Sequence, residues 1–420
     1  LGAGSVFRRL ISRDEALQRI RRYVKLAALG VEEVELRSAF GRVLAEDVRA
    51  SVDVPPFHRA TMDGYAVKAK DTFGASETNP KSLRVVGSVE VGKMPATRLE
   101  TGQAMAVATG SALPEGSDAV LPLEWTRTGS TPNEILALRA VTTGENVMER
   151  GHDIKRGELL LKEGTRLTAR ELGVLSALGI ARVKVYLKPK VAILSTGQEL
   201  VEPGKPLTSG KIYDVNWITL YASVLECGGR PEFLGIVEDS VEKMENTMRK
   251  GLEMADVVVA SGATSVGATD IMRSIVNRLG KPGVIVDGVR MKPGKPTIIG
   301  VADGKPIFCL PGNPMSALVA FYNFVAPVLR AMAGLPPVRR RFVEAVLAGR
   351  VMPASGRLTT IPVRLEKGQE QLVAHPILKA SGAITALALA DGYVEIPEDV
   401  KFLESGERVK VYLFRGEWKP

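Results

Sequence analysis

The chain reads as a multidomain protein, α/β plus β, and three observations predict this. Its 420 residues exceed what one hydrophobic core usually serves, so two to four domains are expected. From 189 to 334, apolar β-branched runs alternate with helical apolar spacing, the pattern of a parallel, doubly wound sheet. On either side, over 31–145 and 338–420, short β-like runs are cut by glycine and proline. The last stretch has no room for a long helix and reads as a small barrel or sandwich.

The elements follow in order. Residues 12–29 show helical spacing through Ala16, Leu17, Ile20, Val24, Leu26 and Ala27, with a stop at Gly30. From 31 onward, Pro55-Pro56, Gly92, Gly102, Pro114 and Gly116 divide short strands, and 144–167 stays rich in turns. Thr168-Ala-Arg-Glu171 is a capping box opening an apolar helix that ends at Gly179. Strands are expected at 190–194, 233–237, 256–260, 284–287 and 306–310. Helices are expected near 216–227, 240–254, 270–279 and 314–333. Asn313 is placed as the N-cap of the last helix, Pro314 as its first residue, and Pro327 as a kink. After Leu335-Pro336-Pro337 the chain turns all-β, with a hairpin at Lys367-Gly368.

Bulk properties exclude several classes. The chain is 45% apolar and 25% charged with mean hydropathy near zero, which indicates neither disorder nor a membrane protein. No apolar run is read as approaching the ~20 residues of a membrane span, and the N-terminus lacks a signal-peptide core, so a cytoplasmic protein is expected. Net charge is +9, favouring an anionic partner. The basic residues are scattered, aromatics are 5%, and no groove-binding motif is present, so a small polyanion fits better than nucleic acid. Cys227 and Cys309 offer neither a disulfide framework nor a metal-knuckle spacing and read as core thiols. His58, His152 and His375 suggest no metal triad or catalytic dyad. Scarce Asn and Gln beside abundant Arg, Glu and Val point to a thermophilic source.

Four turn motifs each follow an apolar run: VAILSTGQEL (191–200), DVVVASGATSVGATD (256–270), VRMKPGKPTI (289–298) and IFCLPGNPMSA (307–317). Loops leaving the C-terminal ends of parallel strands converge on one crevice. In the loop Ser261–Gly267, small residues let backbone amides approach an anion, and a helix starting near Asp270 adds partial positive charge. A tight turn without a ligand is the alternative; the loop is neither a P-loop nor a dinucleotide fingerprint. Lys292 and Lys295 sit on a turn stiffened by Pro293 and Pro296, suited to an anion or to solvent. Glu199, Asp239 and Asp270 fall at strand or helix ends, where a lone acid is often only a cap. Asp214 and Asn216 open a helix and read as caps that face the same crevice. Arg59–Ala66 packs an Arg, an Asp and a Tyr unusually tightly for a surface turn, whereas the segments around Thr109 and Asp118 look alone like turns.

Taken in order, RATMDGYA (59–66), ATGSALPEGSDAV (108–120), GHDIKRG (151–157), AILSTGQEL (192–200), GKIYDVN (210–216), SGATSVGATD (261–270), MKPGKP (291–296) and LPGNPMSA (310–317) closely resemble the molybdopterin molybdenumtransferase family, MoeA and the gephyrin E domain. The resemblance implies a MogA/MoaB-like molybdopterin-binding domain (5–26 plus 187–336), a linker domain (27–52 plus 143–186), a β-rich domain carrying RATMDGYA (53–142) and a C-terminal β-barrel (337–420). It implies a homodimer whose composite active site is closed by the partner's RATMDGYA domain.

The implied reaction inserts molybdate, or tungstate, into adenylylated molybdopterin and releases AMP. By motif match the catalytic residues are Asp63, Glu199, Asp239, Asp270, Lys292 and Lys295, with Mg²⁺ on Glu199, Asp239 and Asp270. Arg59, Thr109, Asp153, Ser195, Thr196, Gly197, Asp214, Asn216, Ser261, Gly262, Thr264, Ser265, Gly267, Pro311, Gly312, Asn313, Arg357 and Ser381 would bind substrate. Clustered carboxylates need that cation, since like charges ~4 Å apart repel by ~4 kcal/mol at an effective dielectric of 20. With no clustered Cys, the metal's sulfur ligands would be the substrate's dithiolene. Two departures stand out: Ala263 where the family has a second Gly, and Val215 where Ser or Thr is common. Molybdopterin adenylylation and a non-catalytic scaffold remain as alternatives.

Overall fold

A computed structural model describes residues 10–238, 240–262, 266–337, 340–369, 371–379 and 382–414; for 266–268 and 387 only the backbone is described. The chain forms two compact units. The first comprises 1–33, 41–45 and 184–420, the second 34–40 and 46–183.

The chain enters the first unit through helix α1 (Arg13–Tyr23), capped by Ser12 Oγ accepting from the Glu15 amide at 3.1 Å. The spacing predicted a helix to 29. Instead the chain is extended from Val24. There Val24 is buried and Leu26 half-buried while Lys25 and Ala27 face out, so the apolar positions follow a period of two.

The second unit is built on a six-stranded sheet of β1 (Gly64–Val67), β2 (Lys81–Val89), β3 (Gln103–Val107), β4 (Ala119–Pro122), β5 (Thr126–Thr128) and β6 (Glu134–Ala137), in the order β4-β1-β3-β2-β6-β5. Helix α2 (Ala169–Ala177) starts at the capping box, where the Thr168 amide and hydroxyl both donate to Glu171.

In the first unit, β7 (Lys190–Thr196), β8 (Arg230–Val237), β9 (Val257–Ser261), β10 (Pro282–Asp287), β12 (Ile298–Ala302) and β13 (Lys305–Leu310) form a sheet in the order β8-β7-β9-β13-β12-β10. Strand β11 (Met291–Lys292) belongs elsewhere, as described below. The alternation predicted a parallel sheet. β8, β7, β9 and β13 are parallel, but β12 runs antiparallel to both β13 and β10. β10 therefore points the same way as the parallel four, and its C-terminal loop opens on the same edge. The segment Ile298–Ala302 is a buried apolar strand that local pattern reading absorbed into the preceding turn.

Helices cover both faces. Val191, Ile193, Val257 and Val259 pack with α1, α3 (Asn216–Glu226), α6 (Pro314–Ala320) and α7 (Ala326–Met332). Ala192, Leu194, Val258 and Ala260 pack with α4 (Val241–Met254) and α5 (Val266–Leu279). Each strand thus serves two cores by alternation. Helix α5 starts at Val266, four residues ahead of the expectation, which places Asp270 in its second turn. Between α6 and α7 a π-helical turn, Phe321–Val325, precedes Pro327, whose missing N–H cannot continue a regular ladder. Pro314–Met332 is long and apolar enough to cross a membrane, contrary to the reading that no run approaches that length; 72% of the window is buried within the protein, as in a core helix.

The last strands are β14 (Phe342–Leu347), β15 (Leu358–Lys367), β16 (Leu372–Pro376), β17 (Gly392–Ile396) and β18 (Arg408–Leu413), with a short helix α8 (Thr385–Ala388). Their order β15-β16-β14-β18-β17 closes through β15–β17 pairing into a small barrel around Val363, Ala374, Ile396 and Val411. The β15–β16 hairpin turns at Gly368, with Lys367 opposite Leu372. Arg13 donates to Glu395 at 2.9 Å and Arg290 to Glu398 at 2.9 Å, tying the barrel to the α/β body.

Candidate active site

The ends of β7, β9 and β13 approach until only glycine fits. Gly262 adopts φ +118°, and a Cβ there would lie 1.9 Å from the Thr196 carbonyl oxygen. A Cβ on Gly312 would come within 3.3 Å of the Gly262 Cα. Backbone, not side chain, therefore forms this floor, the condition for close approach to a ligand.

Asn216 locks the floor from α3. Its Nδ2 donates to Ser261 Oγ and to the Gly312 carbonyl, both at 2.7 Å. Asp214 stands one residue before the N-cap position, Val215, and braces the start of that helix: its Oδ1 accepts from the amides of Asn216 (3.0 Å) and Trp217 (3.3 Å). Asp214 is 1% exposed. Burial pushes its carboxyl above the usual value; the nearby Ser195 hydroxyl and the amides of Trp217 and Asn216 offset part of that. Ser195 Oγ, Asp214 Oδ2 and Asn216 Oδ1 are buried without meeting hydrogen-bond geometry to any partner.

Above the floor lies a crevice of about 1070 Å³, lined on one side by Thr196, Glu199, Asp214, Asn216, Gly262 and Pro311–Ser316. Its other walls are the turn Met291–Pro296 and barrel residues including Arg357, Thr359, Ile361, Ile377 and Lys379. The turn is where the two bodies meet. β11 pairs in parallel with β15, Met291 opposite Leu358 and Lys292 opposite Thr359. Lys292 and Lys295 are exposed, and neither ammonium forms an ion pair with a described residue. Gly197, at φ +152°, leaves room for the Glu199 carboxylate to fold back: a Cβ there would meet Glu199 Oε2 at 2.8 Å. The lining carries Lys292, Lys295, Arg357 and Lys379 against Glu199 and Asp214, so its field favours an anion.

The comparisons with known proteins agree along the chain. Residues 11–179 match the model of the MoeA N-terminal region (domain I and II), 192–331 that of a probable molybdopterin binding domain, and 344–414 that of the MoeA C-terminal region (domain IV). A molybdopterin molybdenumtransferase of Bacillus subtilis is 34% identical over 96% of this chain and 94% of its own. The chain belongs to the molybdopterin molybdenumtransferase family. Molybdopterin molybdenumtransferase 2 of Mycobacterium tuberculosis is also 34% identical, covering 90% of this chain and 94% of its own. A crystal structure of a molybdopterin biosynthesis MoeA protein from Pyrococcus horikoshii superposes with a TM-score of 0.83 at 42% identity, over 97% of this chain and all of that one.

For a member of the molybdopterin molybdenumtransferase family, the distribution of the sequence-assigned residues matters. Thr196, Glu199, Asp214, Asn216, Gly262, Lys292, Lys295, Pro311, Gly312, Asn313 and Arg357 line the crevice, with Ser195 and Ser261 in the strand ends and Gly197 just after β7. Asn313 occupies the N-cap position but makes no side-chain capping bond. Asp270, read from the sequence as either a cap or a site carboxylate, forms an ion pair with Arg273 at 3.1 Å and is not among the residues lining the crevice. Asp239, Ala263, Thr264, Ser265 and Ser381 lie outside the described residues, and Gly267 is described by its backbone only.

Asp63, Arg59, Thr109 and Asp153 belong to the second unit. Asp63 Oδ1 accepts from the Thr109 amide (2.7 Å) and hydroxyl (2.8 Å), and these bonds hold its carboxyl below the usual value. Arg59 donates to Met148 Sδ at 3.1 Å. The Asp153 amide donates to the Val54 carbonyl at 3.0 Å. Asp53 fixes the loop bearing Asp153, accepting from Arg150 Nε (2.6 Å) and the Arg156 amide (2.8 Å), a role the sequence reading did not assign. Lys379 was also missed; its one sequence signal is adjacency to the small-residue segment Ala380–Ala383.

Proposed function

We propose that this molybdopterin molybdenumtransferase inserts molybdate into adenylylated molybdopterin in the crevice between the α/β body and the barrel, releasing AMP. The observation that carries the reading is the crevice itself: a floor of close-packed backbone at Gly262 and Gly312 with Lys292, Lys295 and Arg357 around it. Phosphate oxygens and an oxyanion are all acceptors, so ammonium, guanidinium and amide donors suit them. Tungstate is a second substrate by equal shape and charge.

Lys292 and Lys295, on a turn held by a two-residue ladder, would neutralise phosphate charge as AMP departs. Arg357 would orient an oxyanion from the barrel side. Asn216 holds the floor and Asp214 fixes the start of α3, so both position rather than react. Among the described residues no three carboxylates, histidines or cysteines gather into a cation cage. Mg²⁺ commonly binds through one or two carboxylates plus substrate phosphates and keeps several waters. Glu199 would hold it here, with Asp239 and Asp270 as further candidates; the ion would supply charge neutralisation of the phosphates. A homodimer would bring Asp63, Arg59, Thr109 and Asp153 of a second copy to complete the site. The four-domain division given by the sequence belongs to the same proposal, as does a cytoplasmic location.

The test is direct. Purified protein with adenylylated molybdopterin, Mg²⁺ and molybdate or tungstate should release AMP and yield a cofactor that activates a cofactor-free molybdoenzyme. Accumulation of adenylylated product from molybdopterin and ATP would instead assign the neighbouring step.

A further inference from the structure

We infer that Lys379 is a further anion-binding residue of this crevice, contributed by the barrel and gripping a tetrahedral oxyanion. The inference rests on the functional reading above. Lys379 lies on the loop between β16 and α8 and lines the crevice beside Leu378 and Gly382. Its Nζ donates to Thr385 Oγ1 at 3.1 Å, which holds the ammonium at the wall with its remaining two protons uncommitted to a carboxylate among the described residues. A surface lysine usually keeps its charge solvated by water or paired with a neighbouring Asp or Glu. This one rests against a neutral hydroxyl. The same crevice is lined by the Lys292–Lys295 turn, Glu199 and Arg357, and Lys292 is paired with Thr359, two residues from Arg357. The ligand chemistry is a compact dianion, met either as a phosphate of the nucleotide-bearing pterin or as the free metal oxyanion.

K379M keeps the stem and removes the charge; K379R restores it. Steady-state AMP release should show K379M raising the KM of one anionic substrate by about fivefold or more, the size of one solvent-screened ammonium–dianion contact, with K379R close to wild type. A rise for molybdate alone assigns the free oxyanion, and a rise for the pterin nucleotide alone assigns its phosphate. KM values within twofold for both substrates would overturn the inference. Calorimetric titration of wild type and K379M with tungstate and with AMP, no turnover required, separates the two layers. Weakened binding in K379M supports the residue assignment even if the insertion reading fails; unchanged binding of both probes refutes it even if insertion is active.

Discussion

Gly262→Ala places a methyl group where the structure leaves no room. The new Cβ would stand 1.9 Å from the Thr196 carbonyl oxygen, well inside the 3.0 Å below which such contacts are essentially not found. Both partners are ends of neighbouring central strands, Thr196 of β7 and Ser261 of β9, so neither can retreat without disturbing the ladder. Left-handed backbone costs an alanine ~1–2 kcal/mol and overpacking a further ~1–3 kcal/mol, so a loss of about 2–5 kcal/mol is expected. Gly406→Ala is the control: φ there is +90°, but nothing lies within 4 Å, so only the backbone part should be lost. Urea unfolding followed by intrinsic fluorescence gives the difference between the two variants, and AMP titration reports the floor. If Gly262→Ala were no less stable than Gly406→Ala and bound AMP as wild type does, close backbone approach would not be what shapes this site.

Other outcomes follow from the same geometry. The Asp214 carboxyl is raised by burial, so the native state holds its proton more tightly than the unfolded chain, and ionisation costs stability as pH climbs above the ordinary carboxylate range. Asp214→Asn should therefore gain on wild type between pH 4 and pH 7 in urea melts; a constant difference would remove the argument. In a composite dimer, Asp63→Ala and Lys292→Met should each be inactive alone, while co-expression restores about a quarter of wild-type activity through mixed dimers with one intact site. No recovery would place both residues in one subunit's site. Cys227 and Cys309 are buried, with burial pushing both thiols up to about 12. Iodoacetamide at pH 8 should leave both unmodified until guanidinium unfolds the chain, when two equivalents react.

What the sequence revealed depended on range. The capping box at Thr168–Glu171 and the strand-helix alternation after 189 are local patterns, and both stand in the structure. The β15–β16 hairpin was equally legible from Lys367-Gly368. Tyr23 ends α1 early because Val24 and Leu26 are claimed by the sheet core in extended form, a tertiary demand no helical period records. Ile298–Ala302 was hidden because five buried apolar residues beside a proline-rich turn have no period to distinguish strand from loop. At the site, glycines and lysines announced themselves by type. The Arg273 partner of Asp270 and the Thr385 support of Lys379 did not, since an ion pair or a hydroxyl rest is a matter of side-chain direction.

The two-residue ladder of Met291 and Lys292 with Leu358 and Thr359 makes the lysine turn common property of two bodies. Were the barrel to tilt outward to admit a bulky pterin, it would have either to carry the turn along or to peel it from β15. In the first case the cationic wall travels with the barrel and the gap opens against α3 and α6; in the second the anion clamp loosens just as the mouth widens. Either way, in the proposed reaction the grip on phosphate and the posture of the barrel would share one free energy. By reciprocity, an anion seated on the turn stiffens the barrel's attachment by as much as a load on the barrel weakens the anion's hold.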